Sequence, residues 1–364
     1  MRVLITGRTG FVGSHTVAAL VEAGHQVRLL VRAAHRVAPV VAPLGLQAGD
    51  LDTIVGDVTD PAVVDQAVAG CQAVVHAGSV YSLDSRDAGR IRQVNVRGTQ
   101  LVLGAAQRAG LDPIVYVSSV VALLPPGGQT LTAASPPGHP PGPYLGSKAD
   151  AERVARRYQQ AGAPVVITYL GFVLGPHDPH LSQGMRMVRD VLKGRYPIVP
   201  SGGFPIVDVR DVAAVHAAVL EPGGGPRRYL ASGTNAAGLA ELVARLGAVT
   251  GRQLPAVTVP AGLLLPVGRA VQVLQRIVPF HIPAEFEGIY VSWCAARYDD
   301  TRTQQELGVA PRDLQATLTD TVRWLVEQGP ISPRQAGQLP TPDTAVVCAR
   351  DHPGQSIGAA DSSS

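Results

Sequence analysis

The run Thr6-Gly7-Arg8-Thr9-Gly10-Phe11-Val12-Gly13 constrains the fold more than any other part of the chain. It joins an aliphatic run, Arg2–Thr6, to an apolar periodic stretch, Val12–Ala23, that Gly24 closes. Strand, glycine-rich turn and helix in that order give G-x-x-G-x-x-G in the context where it carries meaning. Glycines there let main chain approach a pyrophosphate, whose charge meets the N–H groups and positive dipole end of the helix. Gly7, Arg8, Thr9, Gly10, Phe11, Val12 and Gly13 are therefore expected to hold a dinucleotide. An ordinary tight turn is the plainer reading, and the flanking strand and helix weigh against it.

Short β-branched runs recur at Gln26–Val31, Asp52–Val55, Ala73–His76, Ile114–Ser118 and Val165–Tyr169, with helical patterns between them. This alternation predicts an α/β fold built on a doubly wound parallel sheet, covered on both faces. Asp60-Pro61 has the form of a cap residue followed by proline at the first helical position. Past Gly175 the pattern changes to helices between Pro/Gly clusters, at Ser182–Lys193, Ala236–Thr250, Gly262–Ile277 and Leu314–Glu327, with strands near Pro205–Val209 and Tyr229–Ser232. Residues 1–175 read as a dinucleotide-binding domain to which the strands near 205–232 return, and 176–330 mainly as a smaller, discontinuous C-terminal substrate lobe. Residues 331–364, rich in Pro, Gln, Ala and Ser, are expected to be a disordered tail.

With 46% hydrophobic and 16% charged residues, the 364-residue chain can bury a large core. Its 31 basic and 28 acidic residues leave a net charge of +3. The basic residues are scattered, which speaks against a nucleic-acid partner and for a small molecule. Cys71, Cys294 and Cys348 form no CxxC pair, which fits a reducing, cytoplasmic setting and no zinc site. His177-Asp178-Pro179-His180 supplies imidazoles and a carboxylate, yet Pro179 breaks helical spacing and a loop is expected. No signal peptide is expected from Met1–Thr6, which lead straight into the glycines, and Leu254–Val278, broken by three prolines, is too interrupted to span a membrane. Peripheral contact by that stretch stays open, with packing inside the lobe as its plainer reading.

Cofactor preference is read at the end of the second strand, about twenty residues beyond the loop, where an NAD site would carry an acid for the ribose hydroxyl. Arg32 stands there instead, and a guanidinium suits a 2′-phosphate. With Arg8 and Arg36 adding charge, NADP(H) is expected over NAD(H), although all three could be solvated surface. Asp57 and Val58, after the third strand, are placed for the adenine end, and Ala77-Gly78, after the fourth, leaves room for the cofactor. Turn chemistry explains Gly56-Asp57 nearly as well.

Tyr144-Leu145-Gly146-Ser147-Lys148 follows the proline-dense loop Leu124–Pro143 and opens a helix, so Tyr144 and Lys148 share a face. An ammonium one turn away is expected to lower the phenol's pKa and to hold ribose hydroxyls, making Tyr144 a proton donor. The fifth strand ends Val117-Ser118-Ser119-Val120, which puts hydroxyls at the carboxyl edge of the sheet. Ser119, with Ser118 as the alternative, is expected to polarise a substrate oxygen; capping bonds are the competing reading. Asn95 is a polar residue on an amphipathic helix, read either as the anchor of a proton-relay water or as a helix-bending residue.

Taken together, TGRTGFVG, GDVTD, VNVRGT, VYVSS, YLGSK and PIVDVRDVA resemble an extended short-chain dehydrogenase/reductase of the NAD-dependent epimerase/dehydratase family, across residues 2 to 330. Within it, the chain most resembles the dihydroflavonol-4-reductase and 3β-hydroxysteroid-dehydrogenase-like branch. The resemblance implies a Rossmann fold, catalytic roles for Ser119, Tyr144 and Lys148 with Asn95 in support, and a homodimer paired through Arg90–Ala109 and Tyr144–Gln160. One departure stands out. Leu170-Gly171-Phe172-Val173-Leu174-Gly175-Pro176 lacks the family's Arg-Pro pair and tyrosine, which leaves Phe172 and Val173 to touch the nicotinamide ring.

Three functions follow as expectations. The first is an oxidoreductase interconverting a ketone and a secondary alcohol, on an apolar substrate because the lobe supplies Leu263-Leu264-Leu265, Val271, Leu274, Phe280, Phe286, Tyr290 and Trp293. Those residues serve a core equally well. The second is a nucleotide-sugar epimerase or dehydratase with tightly held NAD. Against it stand Arg32 and the absence of an acidic pair after Ser119, which Val120-Val121-Ala122 follows. The third, a non-catalytic NAD(P)-sensing protein, conflicts with the intact Tyr144 and Lys148.

Overall fold

Nine strands of the computed structural model organise the chain: β1 (Arg2–Thr6), β2 (Gln26–Val31), β3 (Asp52–Val55), β4 (Ala73–His76), β5 (Ile114–Ser119), β6 (Val165–Leu170), β7 (Phe172–Leu174), β8 (Pro205–Asp208) and β9 (Arg227–Ala231). The structure describes residues 1–7, 9–82, 85–124, 130–235, 238–274 and 286–339. Seven strands form one parallel sheet in the order β9-β6-β5-β4-β1-β2-β3. Every residue of β4 and β6 is buried, so apart from His76 and Thr168 these strands read as apolar runs rather than as alternation.

The principal helices are α1 (Phe11–Glu22), α2 (Pro61–Val68), α3 (Thr99–Arg108), α4 (Pro143–Gln160), α5 (Gln183–Leu192), α6 (Val209–Ala218), α7 (Leu239–Thr250), α8 (Ala261–Leu274), α9 (Phe286–Cys294) and α10 (Leu314–Glu327). On one face of the sheet Val17, Leu20 and Val212, from α1 and α6, pack on Val3, Ile5 and Val115. Val64, Leu103, Leu145 and Ala155, from α2, α3 and α4, cover Leu4, Val74 and Ile114 on the other. The Asp60 carboxylate caps α2 by accepting from the N–H groups of Ala62 and Val63.

Beyond β6 the chain leaves the large sheet. β8 pairs with β7 and with Thr234–Asn235 in a separate three-stranded sheet, so of the two strands expected to return to the dinucleotide-binding domain only β9 does so. The break is at Gly171, where a side chain would lie 2.6 Å from the Ser232 carbonyl oxygen, so the close crossing of two main chains turns β7 outward. A second core, with Met185, Leu192, Leu242, Leu246, Leu318 and Trp324, lies around this small sheet.

PIVDVRDVA proves to be the joint. Asp208 caps α6 through the Arg210 N–H at 2.8 Å, pairs with the Arg210 guanidinium at 2.6 Å, and accepts from Thr317 on α10 at 2.9 Å. Arg210 reaches Asp320 on the same helix at 2.8 Å. The expected tail starts too early at 331: Ile331 is buried, and Ser332 caps the turn Pro333–Ala336 with Gln335 closing the box. Residues 340–364 lie outside those described.

Candidate functional site

The order of the sheet places β1 beside β4, the point where strand order reverses and where ligands of open α/β sheets bind. The loops leaving these strands touch there. Gly7 sits at φ 78°, and a Cβ on it would come within 2.5 Å of the Ala77 carbonyl and the Gly78 nitrogen, so only glycine fits. Ala77 N–H donates to the Thr6 carbonyl at 3.2 Å and Gly78 N–H to the Thr6 hydroxyl at 3.3 Å, which fixes both turns to β1. Gly10 caps α1 without a side chain, and the first turn of α1 carries no acid. A glycine cradle leading into an uncapped helix start suits an anionic pyrophosphate.

Thr9, Gly10 and Val12 are half-buried at this edge, whereas Phe11 and Gly13 face inward. Arg8 lies outside the described residues. Arg32 directly follows β2 and, like Arg36 in the next turn, is exposed. Asp57 accepts from both the N–H and the hydroxyl of Thr59, at 2.9 and 2.8 Å, so the turn chemistry is present at that carboxylate. Val58 is half-buried against Gly98.

Helix α4 starts at Pro143 and carries Tyr144 and Lys148 one turn apart along the end of β5. The Tyr144 ring is half-buried and lies 4.4 Å, centroid to centroid, from Tyr81 in the loop after β4. Lys148 is buried; its Nζ donates to the Val117 carbonyl at 3.3 Å and stands 5.7 Å over the Tyr116 ring. Burial lowers the ammonium's pKa to about 8, against an opposing pull from Glu152 one turn on. The expected effect of Lys148 on Tyr144 is corrected here. The phenol is pushed well above its ordinary value, chiefly by burial and then by the charge of Glu287, because the ammonium is turned to β5.

Ser119 sits half-buried at the carboxyl edge of β5. Its Oγ donates to the Leu170 carbonyl of β6 at 3.3 Å and accepts from the Val121 N–H at 3.4 Å, two long bonds of which the second caps the turn Val120–Leu123. Ser118 is buried on the face that holds Tyr116. Asn95 lies in a π-helical turn, Gln93–Gly98. Its side-chain oxygen accepts from Val80 N–H and the Ser79 hydroxyl, and its nitrogen donates to the Val80 carbonyl and the Ser147 hydroxyl. All four of its side-chain hydrogen-bonding positions are taken, so the side chain ties the loop after β4 to α4 rather than anchoring a water. Beneath, His76 bridges the hydroxyls of Thr6 and Thr99, and burial together with Lys148 lowers its pKa to about 3.

Phe172 packs on Phe204 with centroids 5.0 Å apart, and Val173 packs into the core beneath the sheet. In the 177–180 segment the Asp178 carboxylate accepts from the His180 and Ser182 N–H groups, a loop-forming role. Glu287 and Tyr81 are the site neighbours that sequence reasoning missed. Tyr81 could have been found from its place just past β4; Glu287 is distant in sequence and has no motif.

The model of the NAD dependent epimerase/dehydratase family matches residues 3–231. The chain belongs to that family. It is an NAD(P)-dependent enzyme of the short-chain dehydrogenase/reductase type with a Rossmann fold. A protein of Synechocystis sp. named "Putative dihydroflavonol 4-reductase" is 33% identical over 89% of this chain and 94% of its own. "Sterol demethylase protein B" of Methylococcus capsulatus is 29% identical over 91% of this family member and 100% of its own length. The solved structure of gox2253 superposes with a TM-score of 0.76 at 31% identity, covering 91% of this chain and 99% of that one. No described helix is long and apolar enough to cross a membrane.

Proposed function

We propose that this chain is an NADP(H)-dependent oxidoreductase that interconverts a ketone and a secondary alcohol on an apolar small molecule. The observation that carries the reading is the seating of Tyr144 and Lys148 along the end of β5, the strand that closes with Ser119. The loop Gly7–Gly13 would hold the pyrophosphate, with Asp57, Val58, Ala77 and Gly78 along the crevice and Phe172 and Val173 at the nicotinamide end. Exposed Arg32, with Arg36, would take the 2′-phosphate. When bound, the cofactor supplies or accepts a hydride.

The chain's own residues manage the oxygen. The Tyr144 phenol, held protonated by its raised pKa, gives a proton to the substrate oxygen in the reductive direction. Ser119 donates a hydrogen bond to the same oxygen as charge develops on it. Lys148, whose ammonium is held at the Val117 carbonyl, would hold ribose hydroxyls, and Asn95 keeps α4 in register through Ser147. An apolar substrate is supported by the outward Leu263, Val267, Val273, Leu274 and Trp293 of the lobe. Phe286 and Tyr290 belong to the core instead, and Phe280 lies outside the described residues. Pairing of two copies through α3 and α4 is part of the same reading.

Titration of the purified chain with NADPH and with NADH, followed by nicotinamide fluorescence, tests it. NADPH should bind at least about 10-fold more tightly, and Arg32→Asp should erase the difference. NAD carried through purification with no preference for NADPH would overturn the Arg32 assignment and favour an epimerase or dehydratase.

A further inference from the structure

Helix α4 has no cap of its own. Its N-cap residue is Gly142, which offers no side chain, and its first turn holds no acid. The free N–H groups of a helix start need acceptors, and leaving them buried without one is costly; Pro143 at the first position carries none, which leaves those of Tyr144 and Leu145 to be satisfied. The acceptor arrives from the far side of the sequence. Glu287, on α9, accepts from Leu145 N–H at 2.8 Å and from Tyr144 N–H at 3.3 Å, across 142 and 143 residues. Only 2% of Glu287 is exposed. A carboxylate so enclosed is tolerated because the dipole end of a long helix and two charge-assisted bonds face it.

Gly142 is shaped for this contact. It lies at φ 97°, and a Cβ there would sit 2.4 Å from the Glu287 carboxyl carbon. The glycine both takes the left-handed turn and clears the space that the carboxylate fills.

Helix α9 is itself held by α8. The Arg269 guanidinium stacks 4.7 Å over the Phe286 ring, and Gly268 lets α8 close on the Phe286 main chain. The outer side of α8 is apolar and open, with Leu263 68% and Val267 52% exposed. A short mechanical path therefore runs from an open apolar surface of the lobe, through Phe286, to the peptide group of Tyr144.

We propose that Glu287 is a positioning residue: its carboxylate, supplied by the lobe, fixes the first turn of α4 and so sets where Tyr144 stands and couples that tyrosine to the seating of α9. The cap itself rests on geometry alone; its consequence for turnover rests on the reading of Tyr144 as proton donor.

The test uses the full chain and the variants Glu287→Ala, Glu287→Gln and Tyr144→Phe. Amide hydrogen exchange over residues 144–147 needs no substrate. Glu287→Ala should speed exchange of the Tyr144 and Leu145 amides by roughly 10-fold, while exchange in β4 and β6 keeps the wild-type rate. Glu287→Gln, which retains an acceptor oxygen, should recover most of the protection; it also serves if the alanine variant does not fold. Unchanged exchange at those two amides, or an equal rise throughout the chain, overturns the proposal.

The second readout is NADPH oxidation with the bicyclic ketone 2-decalone. Glu287→Ala should lower kcat about 10-fold with the KM for NADPH within about twofold, and Glu287→Gln should restore it in part. Wild-type kcat in a folded Glu287→Ala chain overturns the positioning role. Turnover that survives Tyr144→Phe overturns the reading of Tyr144 and the coupling with it, while the exchange result still decides the cap. A wild-type chain inert toward 2-decalone counts against the substrate class proposed above and leaves the cap to the exchange result.

Discussion

Strands β4 and β6 of the large sheet expose none of their residues, whereas helix α8 of the lobe turns Leu263, Val267, Val273 and Leu274 toward solvent. Aliphatic residues dominate in both places. In the sheet, apolar side chains are covered by helices on both faces, and their job is finished once the core is formed. In the lobe, part of the apolar surface is left over after its own core of Met185, Leu242, Leu318 and neighbours has closed. An exposed apolar stripe of this kind marks a binding surface more often than bare surface, so under the function proposed above the lobe would select the substrate and the sheet edge would hold the chemistry constant.

The largest test of this division is Tyr144→Phe. If the sheet edge carries the chemistry, turnover should fall by roughly 10²- to 10⁴-fold while NADPH affinity changes little, read from steady-state rates and a cofactor titration. A fall in affinity of the same size would place the tyrosine in binding rather than in proton transfer.

Detaching the lobe without touching the edge comes next. Asp208 is buried and serves α6, Arg210 and Thr317 together. Its replacement by alanine leaves Arg210 with Asp320 alone, removes the cap of α6 and takes the acceptor from Thr317, and should cost about 2 kcal/mol in urea denaturation, because a lost cap and a buried donor without its acceptor cost about 1 kcal/mol each. A biphasic transition would show the lobe melting before the sheet.

The pH profile sharpens the account of the edge. Burial has moved Lys148 down to about 8, so its ammonium is present below that pH and is lost above it. The rate of ketone reduction should therefore be level from about pH 6.5 to 7.5 and decline through about pH 8. A level profile extending past pH 9 would mean that the ammonium is not needed. The fold itself carries an opposite dependence. His76 and His216 have pKa values near 3 through burial, below the unfolded value of 6.5. The unfolded chain binds those protons first, so this stability is complete above pH 6.5 and is lost progressively as pH falls toward 3.

The smallest expected effect is the most discriminating. Leu263→Ser with Val267→Ser should leave the urea midpoint nearly unchanged, within about 0.5 kcal/mol per site, because both side chains already face water. Should the stripe meet an apolar ketone, KM for that ketone rises while kcat and cofactor affinity hold. Strong destabilisation would mean that the stripe is structural after all.

Local pattern was enough for much of this molecule. The aliphatic runs of β1 to β6, the Asp60 cap, the glycine loop and the helix carrying Tyr144 and Lys148 each depend on residues within one or two turns of each other, so sequence spacing reveals them. α10 runs over Leu314–Glu327, the span its periodicity predicts. The same logic failed at Pro205–Asp208, where the strand is legible but its partner is not, since pairing is a choice made across 30 residues or more. It failed again at Tyr144, whose phenol answers to a carboxylate from α9 and to burial rather than to the lysine one turn away.

By itself, then, the sequence determined the parallel sheet, the glycine-rich turn between β1 and α1 and the placing of Tyr144 and Lys148 one turn apart on one helix, because glycine conformation, helix periodicity and strand burial are local properties. Tertiary structure alone decided which side chains those residues answer to. It brought Ala77 against Gly7, put the whole of Asn95's hydrogen-bonding capacity into the loop after β4 and into α4, turned Lys148 to the Val117 carbonyl, and seated Glu287 on the first turn of α4. Each of these is a contact between residues far apart in sequence, made where burial raises the cost of an unpaired polar group, and no spacing rule encodes it.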